Sequence, residues 1–562
     1  MPNNLLNLPH EVLHSIIANA DPQDLPALCC CRALNEFIKN NHLLHKELYL
    51  KTFDAIPQSG NTVWGPELRK LVNFQKILES SDDALKLSAL QTVAASIHDL
   101  LTNAPVGSNA SLNLPFLTKL FENQQNISTF LCSSSLFEWA RADSWGDLST
   151  TRLRRDIAAI LTEQKFPRFS DDPAALDSVG PEKLAEAISE QPELDDLSCP
   201  SRTRDTGSST PIPAEARTVS PISTPQRPQS YDRQLSAKLH CLYGVSIDSV
   251  RKNCESAPPR YSLRHDTAEI HPYARARVYD LRQHTEDGTF WGPFFDDGLQ
   301  TVDWEKLEAI MIILDYNLRR STEPQRQYEG MLELQEKPWV GATPHSFVSP
   351  PPSVPMEPAL PLEAQDPYNV TGTWTRVVCF LDYTELYEFN FGTDQPERNQ
   401  PRKPIDTEEA TRLINMKIQV TKIEAPGEDD GQQLPVVHFS GKSSSIRPSW
   451  DPNANSKIKG KRSFHRLRGL GLSRSGIVRL TPQGEVRWTT FSVFQGEERW
   501  RSEGIQIGGV QSARGVLGFW FDKNFDEHGP AGPTAFWKYY DGREGKKPAI
   551  THGWNQFTVP SY

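Results

Sequence analysis

The chain has 562 residues, which at about 150 residues per domain suggests roughly three to four domains and excludes a single small module. Lysine and arginine total 60 against 71 aspartate and glutamate residues, a net charge of -11, which excludes binding to nucleic acid or anionic membrane through overall charge. Hydrophobic residues make up 37% of the chain and 44 residues are proline, which is typical of folded domains joined by unfolded linkers.

The cysteines and the apolar segments indicate a reducing compartment. Eight cysteines form no disulfide framework by their spacing, and three of them, Cys29, Cys30 and Cys31, are consecutive. No secretory signal opens the sequence, and the longest apolar runs are far shorter than the ~18 residues that span a bilayer. We therefore expect a cytoplasmic or nuclear protein that contacts neither a membrane nor nucleic acid.

The N-terminal residues carry the pattern of short amphipathic helices. Pro9 fits the first turn of a helix, and Asp21 fits the N-cap of a second helix with Pro22 at its first position. The stripe of apolar residues on the first helix is Val12, Leu13, Ile16 and Ile17. Because helices within about 45 residues bury too little surface to be stable alone, we expect part of this apolar area to contact a partner.

A spaced set of residues in the same segment matches a known motif. The residues are Leu8, Pro9, Glu11, Leu13, Ile16, Asp21, Pro22, Asp24, Leu25, Leu28 and Arg32. They resemble an F-box, the adaptor-binding motif of cullin-based ubiquitin ligases. The resemblance implies a three-helix F-box over residues 5–50 that binds a Skp1-like adaptor on a cullin scaffold. The adaptor-binding residues that follow from it are Leu8, Pro9, Val12, Leu13, Ile16, Ile17, Leu25 and Leu28.

Two composition breaks divide the rest of the chain. Residues 169–230 are predicted to be a disordered linker because residues 170 to 230 contain no aromatic side chain, and residues 346–367 are predicted to be a stiff linker because residues 349–367 contain seven prolines. Regions 62–168 and 231–345 are predicted to be mainly helical from the spacing of their apolar residues. These residues are Leu87, Leu90, Val93, Ala94, Ile97 and Leu101, and then Leu307, Ile310, Met311, Leu314 and Leu318 after the expected N-cap Asp303.

Residues 368–562 change to a strand pattern. Val486 and Trp488 alternate with polar residues, and Thr481-Pro482-Gln483-Gly484 before them predicts a hairpin turn. The alternation of Tyr387, Phe389 and Phe391 predicts a further strand. Regular glycines among aromatic residues are typical of a barrel. The basic residues 457–474 are either a nuclear-import signal or a solvated loop between strands.

Two stretches of this C-terminal region resemble known barrels. Gly372-Thr373-Trp374 is similar to the entry of lipocalin-like barrels, and residues 520–537 resemble the end of the substrate domain of F-box proteins of the cyclin-D1-binding type. The whole arrangement also resembles fungal F-box-only proteins. It implies a tryptophan-rich antiparallel β-barrel that recognises a target. Arg499, Trp500 and Trp520 are candidates for the recognition surface, because arginine beside tryptophan is typical of binding hot spots.

The sequence thus predicts a multidomain α+β protein with an F-box, a helical middle and a lipocalin-like barrel. We find no convincing catalytic set, and we expect no cofactor and no metal. The predicted function is that of a non-catalytic substrate-recognition subunit of an SCF-type ubiquitin ligase, which presents an unknown protein substrate for ubiquitination.

Two other functions stay open at this point. One is a lipocalin-like carrier of a small apolar ligand, although so many Trp and Phe residues favour a filled barrel. The other is a zinc metallopeptidase, because His10, Glu11 and His14 match the His-Glu-x-x-His pattern and Glu36 is the nearest third ligand.

Overall fold

The computed structural model describes most of the predicted helical and strand regions. The described residues are 8–56, 62–105, 111–144, 230–244, 270–322, 337–347, 362–393, 395–396, 402–445, 473–494 and 497–540. Of the predicted linkers, residues 169–229 and 348–361 lie outside them, as do residues 457–472 of the basic segment. All described residues belong to one compact unit.

Four short helices form the N-terminal segment: α1 (His10–Ile17), α2 (Leu25–Leu28), α3 (Arg32–Asn40) and α4 (His42–Thr52). Pro9 precedes α1 instead of lying in its first turn, and its carbonyl oxygen accepts hydrogen bonds from the backbone N–H groups of Val12 and Leu13. The side chain of Asp21 accepts a hydrogen bond from the N–H of Gln23 at 2.8 Å. This confirms the predicted cap, although the turn that it starts, Pro22–Asp24, is a 3-10 helix.

Within the described residues, nine further helices build the middle of the molecule. They are α5 (Trp64–Glu79), α6 (Asp83–Ser88), α7 (Leu90–Thr102), α8 (Asn113–Leu120), α9 (Gln124–Leu131), α10 (Ser135–Ser144), α11 (Ser230–Tyr243), α12 (Ile270–Val278) and α13 (Trp304–Thr322). The apolar spacing that predicted helices is confirmed, except that Ala89 separates α6 from α7. Asp303 caps α13 as predicted, since its Oδ1 atom accepts the N–H of Lys306 at 3.1 Å.

The C-terminal part is a closed eight-stranded antiparallel barrel with its strands in sequence order. The strands are β1 (Gly372–Phe380), β2 (Ala410–Glu424), β3 (Val436–Ser445), β4 (Ser473–Leu480), β5 (Val486–Phe494), β6 (Glu497–Gln506), β7 (Val516–Asp522) and β8 (Gly532–Tyr540). Strand β8 pairs with β1 and closes the barrel. The predicted turn at residues 481–484 joins β4 to β5, and Gly484 takes the positive φ of 87° that this turn requires.

Aromatic and aliphatic side chains fill one half of the barrel interior. The ring of Trp488 lies 5.0 Å from that of Trp374 and 5.4 Å from that of Phe536. Strand β4 passes this cluster at Gly476, where an added Cβ atom would clash with the ring of Phe439. The buried members of the cluster are Tyr368, Val370, Trp374, Met416, Ile418, Val420, Val437, Phe439, Val478, Leu480, Val486, Trp488, Val516 and Phe536.

The outer face of the barrel shares a core with the helices. Val377 on β1, Phe519 on β7 and Ala535 on β8 are fully buried and belong to the same hydrophobic cluster as α13. Leu307 and Ile310 of α13 are fully buried as well. The helical middle and the barrel are therefore not independent bodies within the described residues.

Loops at both ends of the barrel contact the helical part of the chain, and at one end the contacts come from the segments between β6 and β7 and between β2 and β3. Arg514, between β6 and β7, donates hydrogen bonds to the carbonyl oxygens of Tyr243 at 2.6 Å and Val340 at 3.1 Å. At the same end, the side chain of Gln300 donates to the carbonyl oxygen of Asp429, between β2 and β3. The opposite end, where β1 and β7 finish and β2 and β8 begin, carries other loops and we call it the far end of the barrel.

Two further helices flank β1: the short α14 (Leu362–Gln365) before it and α15 (Tyr383–Phe391) after it. The strand predicted from Tyr387, Phe389 and Phe391 is therefore wrong, because these residues belong to α15. Asp382 caps α15 by accepting the N–H of Thr384 at 2.9 Å. Leu386 and Asn390, four residues apart, are the buried positions of this helix. Leu386 and Asn390 thus bury one side of a helix, and their four-residue spacing determines the structure here although the aromatic residues alternate as in a strand.

A buried lysine joins α13 to the loop before it. The Nζ atom of Lys306 lies 2.8 Å from Nε2 of His284 and 3.3 Å from the carbonyl oxygen of Gly292. Burial lowers the pKa of Lys306 to about 7, with Asp303 raising it and Arg277 lowering it. Burial, followed by the charge of Lys306, also lowers the pKa of His284 well below its usual value. A neutral imidazole can therefore accept the hydrogen bond from the lysine.

The buried lysine predicts a pH dependence of stability. Between pH 7 and 10.5 the unfolded lysine keeps a proton that the folded one releases, so its contribution raises the free energy of unfolding as pH increases. We expect Lys306→Met to lower the slope of unfolding free energy against pH by up to about 1.4 kcal/mol per pH unit. Urea denaturation at several pH values above 7 measures this slope. Lys70→Met, at a more exposed lysine, is the control, and an unchanged slope in Lys306→Met contradicts the prediction.

Candidate functional site

The structure divides the predicted adaptor-binding residues into buried and exposed ones. Leu13 and Ile17 are only 4% and 3% exposed and belong to the hydrophobic core. Leu8, Leu25 and Leu28 are half-buried. The exposed members are Pro9, Val12 and Ile16, with Val12 at 43% and Ile16 at 46% exposure. Their spacing of three and four residues puts them on one side of α1, and we call these three residues the α1 surface.

An open groove lies on another side of α1, between this helix and α3 and α4. It is lined by His10, Glu11, His14, Glu36, Phe37, Asn40, Asn41, His42 and Leu43, with a volume of about 830 Å³. Leu43 at its edge is 72% exposed. The groove adds polar and charged groups beside the α1 surface, so a partner that covers this helix meets both apolar and polar contacts.

The two histidines of the zinc pattern are engaged in other contacts. The Nε2 atom of His14 lies 2.9 Å from a carboxylate oxygen of Glu47, and its Nδ1 atom lies 3.0 Å from the side-chain amide of Asn41. The ring of His10 packs edge-on against Phe37 with 5.4 Å between centroids. In the parts of the chain that the structure describes, no group of three or more His, Cys, Asp or Glu side chains is placed to hold a metal ion. These contacts favour a packing role for both histidines.

The three predicted recognition residues lie together at the far end of the barrel. The rings of Trp500 and Trp520 are perpendicular, with 5.5 Å between centroids, and the guanidinium carbon of Arg499 lies 4.9 Å from the Trp500 centroid. The register of β6 and β7 explains this arrangement, because Ser502 is opposite Trp520 and Trp500 is opposite Asp522. The two tryptophans are thus diagonal neighbours on one face of the sheet.

Contacts with β1 extend this cluster. The indole N–H of Trp520 donates to the carbonyl oxygen of Cys379 at 3.0 Å, and the Phe380 ring is perpendicular to the Trp520 ring at 6.2 Å. Arg499 is exposed, and within the described part of the chain its guanidinium contacts Trp500 and forms no ion pair. We call Phe380, Arg499, Trp500 and Trp520 the barrel-end surface. Such a surface can bind flat or anionic groups of a partner.

A buried arginine that the sequence analysis missed lies inside the barrel between this surface and the apolar cluster. Arg376 is 3% exposed, and its Nε atom donates to the hydroxyl of Thr534 at 2.8 Å. Nearby, the hydroxyls of Thr490 and Ser502 lie 2.6 Å apart. The signal was present, because Arg376 follows the interior residue Trp374 by two positions on the same strand.

A second missed feature is a row of rings on α15. Tyr383, Tyr387 and Phe391 follow one another at four-residue spacing, with 6.1 Å and 5.2 Å between successive centroids. His528, on the loop between β7 and β8, stacks on Phe391 at 4.6 Å with an interplanar angle of 10°. We call these four residues the aromatic stripe. The incorrect strand prediction put Phe389 on the same face as Tyr387 and Phe391, left out Tyr383, and did not bring His528 to these rings.

Comparison of the chain with protein-family models, curated proteins and solved structures finds no match. The helices that the structure describes include none with the length and hydropathy to cross a membrane. The function must therefore be argued from the geometry of these surfaces.

The division of α1 into buried and exposed positions can be tested on folding alone. We expect Leu13→Ala to lower the free energy of unfolding by about 2–5 kcal/mol, because it leaves a cavity in the core. Val12→Ala should change it by no more than about 0.5 kcal/mol, because this side chain is largely in water. Urea denaturation of the full chain measures both values, and equal losses would contradict the assignment.

Proposed function

We propose that this chain is the substrate-recognition subunit of an SCF-type cullin-based ubiquitin ligase. Its N-terminal helices bind a Skp1-like adaptor, and its barrel holds a target protein for ubiquitination. The observation that supports this best is the exposure of Val12 and Ile16 on α1, whose neighbouring residues Leu13 and Ile17 are buried in the core. Apolar residues on one side of a rigidly packed helix are typical of a partner-binding face.

The size of the apolar area limits what the α1 surface and the neighbouring Leu43 of the groove contribute to binding. Val12, Ile16 and Leu43 are 43%, 46% and 72% exposed. At roughly 1.5–3 kcal/mol for full burial of such a side chain, covering the exposed parts gives on the order of 3 kcal/mol. Association costs roughly 4–15 kcal/mol. The polar groups that line the groove must therefore also contact the adaptor in the proposed complex.

A substrate receptor needs no catalytic group of its own. It increases the effective concentration of a target lysine near the ubiquitin-charged partner. The shared core between helices and barrel suits this role, because it holds the α1 surface and the barrel-end surface at a fixed separation. Arg499, Trp500 and Trp520 are the residues that we propose for contact with the target.

The state of the cysteines is consistent with a reducing compartment, which the proposed function requires. The six cysteines within the described ranges, among them Cys29, Cys30 and Cys31, are all free. We propose the cytoplasm or the nucleus as the place of action.

The lipocalin-like carrier has less support than the ligase subunit. Rings of Trp374, Phe439, Trp488 and Phe536 contact one another inside the barrel, where an apolar ligand would have to lie. A carrier of this class needs interior positions small enough to leave a cavity.

Substitution of the α1 surface tests the proposal. We expect Val12→Asp combined with Ile16→Asp to weaken binding of a purified Skp1-like adaptor by at least about tenfold, because it brings two charges into an apolar contact. Leu85→Asp is the matched control, since Leu85 on α6 is also 43% exposed and lies outside the proposed surface. Surface plasmon resonance with the full-length chain measures the affinity.

Two results would contradict the proposal. The first is a wild-type chain that does not bind the adaptor. The second is a double variant that unfolds at the same urea concentration as the wild type and binds the adaptor equally well.

A further inference from the structure

The aromatic stripe is an exposed feature that the proposed adaptor contact does not use. Tyr383 and Tyr387 are 54% and 41% exposed. They contact each other, and the row of rings continues through Phe391 to His528. Large exposed apolar side chains that lie singly are ordinary, but a contiguous row of them is typical of an interaction site.

The helix that carries the stripe is held firmly on its other side. Leu386 is 4% exposed and Asn390 is 7% exposed. The side chain of Asn390 accepts the N–H of Leu281 at 3.0 Å and donates to the carbonyl oxygen of Tyr279 at 3.0 Å. The rings are therefore positioned before any partner arrives, which reduces the entropy that binding costs.

Acidic side chains border the stripe on both elements that form it. On α15 the exposed Glu388 directly follows Tyr387 and Asp382 caps the start of the helix, whereas Glu385 lies on another side with one carboxylate oxygen buried. On the loop between β7 and β8, Asp526 and Glu527 directly precede His528. This border attracts cations, and it repels the phosphates of nucleic acids and anionic lipids.

The same helix already binds a guanidinium group within the chain. The guanidinium carbon of Arg402 lies 4.1 Å from the centroid of Phe389, on another side of α15. Arginine also stacks on rings at the neighbouring barrel-end surface, where Arg499 covers Trp500. Rings bordered by carboxylates suit arginine in particular, because its planar group stacks on an aromatic face while its N–H groups reach carboxylate oxygens.

We propose that the aromatic stripe binds an arginine-bearing segment of the target protein. This inference rests on the proposed function as a substrate receptor, since the target is the partner that the barrel holds. Phe380 at the end of β1 is followed closely by α15, and Asp522 at the end of β7 is followed closely by His528. The stripe and the barrel-end surface therefore lie at the same far end of the barrel, and one target can contact both.

A labelled peptide tests the inference on the full-length chain. The probe is a fluorescein-labelled peptide of Gly-Ser-Arg repeats, and its control has citrulline, which is uncharged and of nearly the same shape, at every arginine. Fluorescence anisotropy at low and physiological ionic strength gives both affinities. We expect the arginine peptide to bind at least about tenfold more tightly than the citrulline peptide.

Matched variants locate this binding. We expect Tyr383→Ala combined with Tyr387→Ala to weaken it by about tenfold or more, while Tyr383→Phe combined with Tyr387→Phe retains it because the rings remain. Glu388→Lys should weaken it as well. Glu428→Lys is the charge control, because Glu428 is also exposed but lies between β2 and β3 at the other end of the barrel. Equal binding by wild type and the alanine variant, or equal losses in the two lysine variants, overturns the inference.

Adaptor binding measured on the same samples separates this inference from the proposed function. The alanine variant should bind the Skp1-like adaptor as the wild type does, because α15 packs against Tyr279 and Leu281 and belongs neither to the α1 surface nor to the residues that line the groove. If the adaptor binds but the stripe variants leave peptide binding unchanged, only the arginine inference is wrong. If the wild-type chain does not bind the adaptor, the proposed function is wrong.

Discussion

The structure depends on the burial of an apolar outer face of the barrel by helix α13. A barrel in water normally turns polar residues outwards, but Val377, Phe519 and Ala535 point outwards and are fully buried. Without α13 these side chains would form an exposed apolar patch of the kind that soluble chains avoid. The barrel and the helices must therefore fold against each other at this joint.

Charges within the joint are paired, which limits how the two parts can fit. Arg487 and Glu503 lie 2.9 Å apart and are 1% and 0% exposed. Burial raises the pKa of Glu503, but Arg487 and Arg501 lower it more, so the carboxylate stays ionised. Arg275 and Glu409 make a similar pair at 2.8 Å between α12 and the segment before β2. Buried pairs add little net stability, but a shifted fit of the helices on the barrel would leave Arg275 and Glu409 unpaired, so this pair favours one alignment.

The sequence allowed prediction of the elements whose signals are local. The caps Asp21 and Asp303 and the turn at Gly484 follow from short-range patterns, and the structure confirms them. The burial of Leu13 and Ile17 within the chain could not be predicted. An apolar stripe indicates which side of a helix avoids water, but it does not indicate whether the chain itself or a partner covers that side. Helix α15 was missed because its buried contacts are with Tyr279 and Leu281, about a hundred residues earlier.

The two surfaces at the far end of the barrel differ in charge although both are aromatic. Arg499 gives the barrel-end surface a positive group, whereas Glu388 and Asp526 border the aromatic stripe with negative ones. Aromatic rings alone bind many partners, because every apolar or planar group gains from contact with them. A partner fits both surfaces only if it places a negative group at the barrel-end surface and a positive group at the aromatic stripe. A partner with these two charges exchanged is repelled at both places. In the receptor function that we propose, the rings at this end of the barrel therefore supply contact area, and the order of the charges decides which target binds.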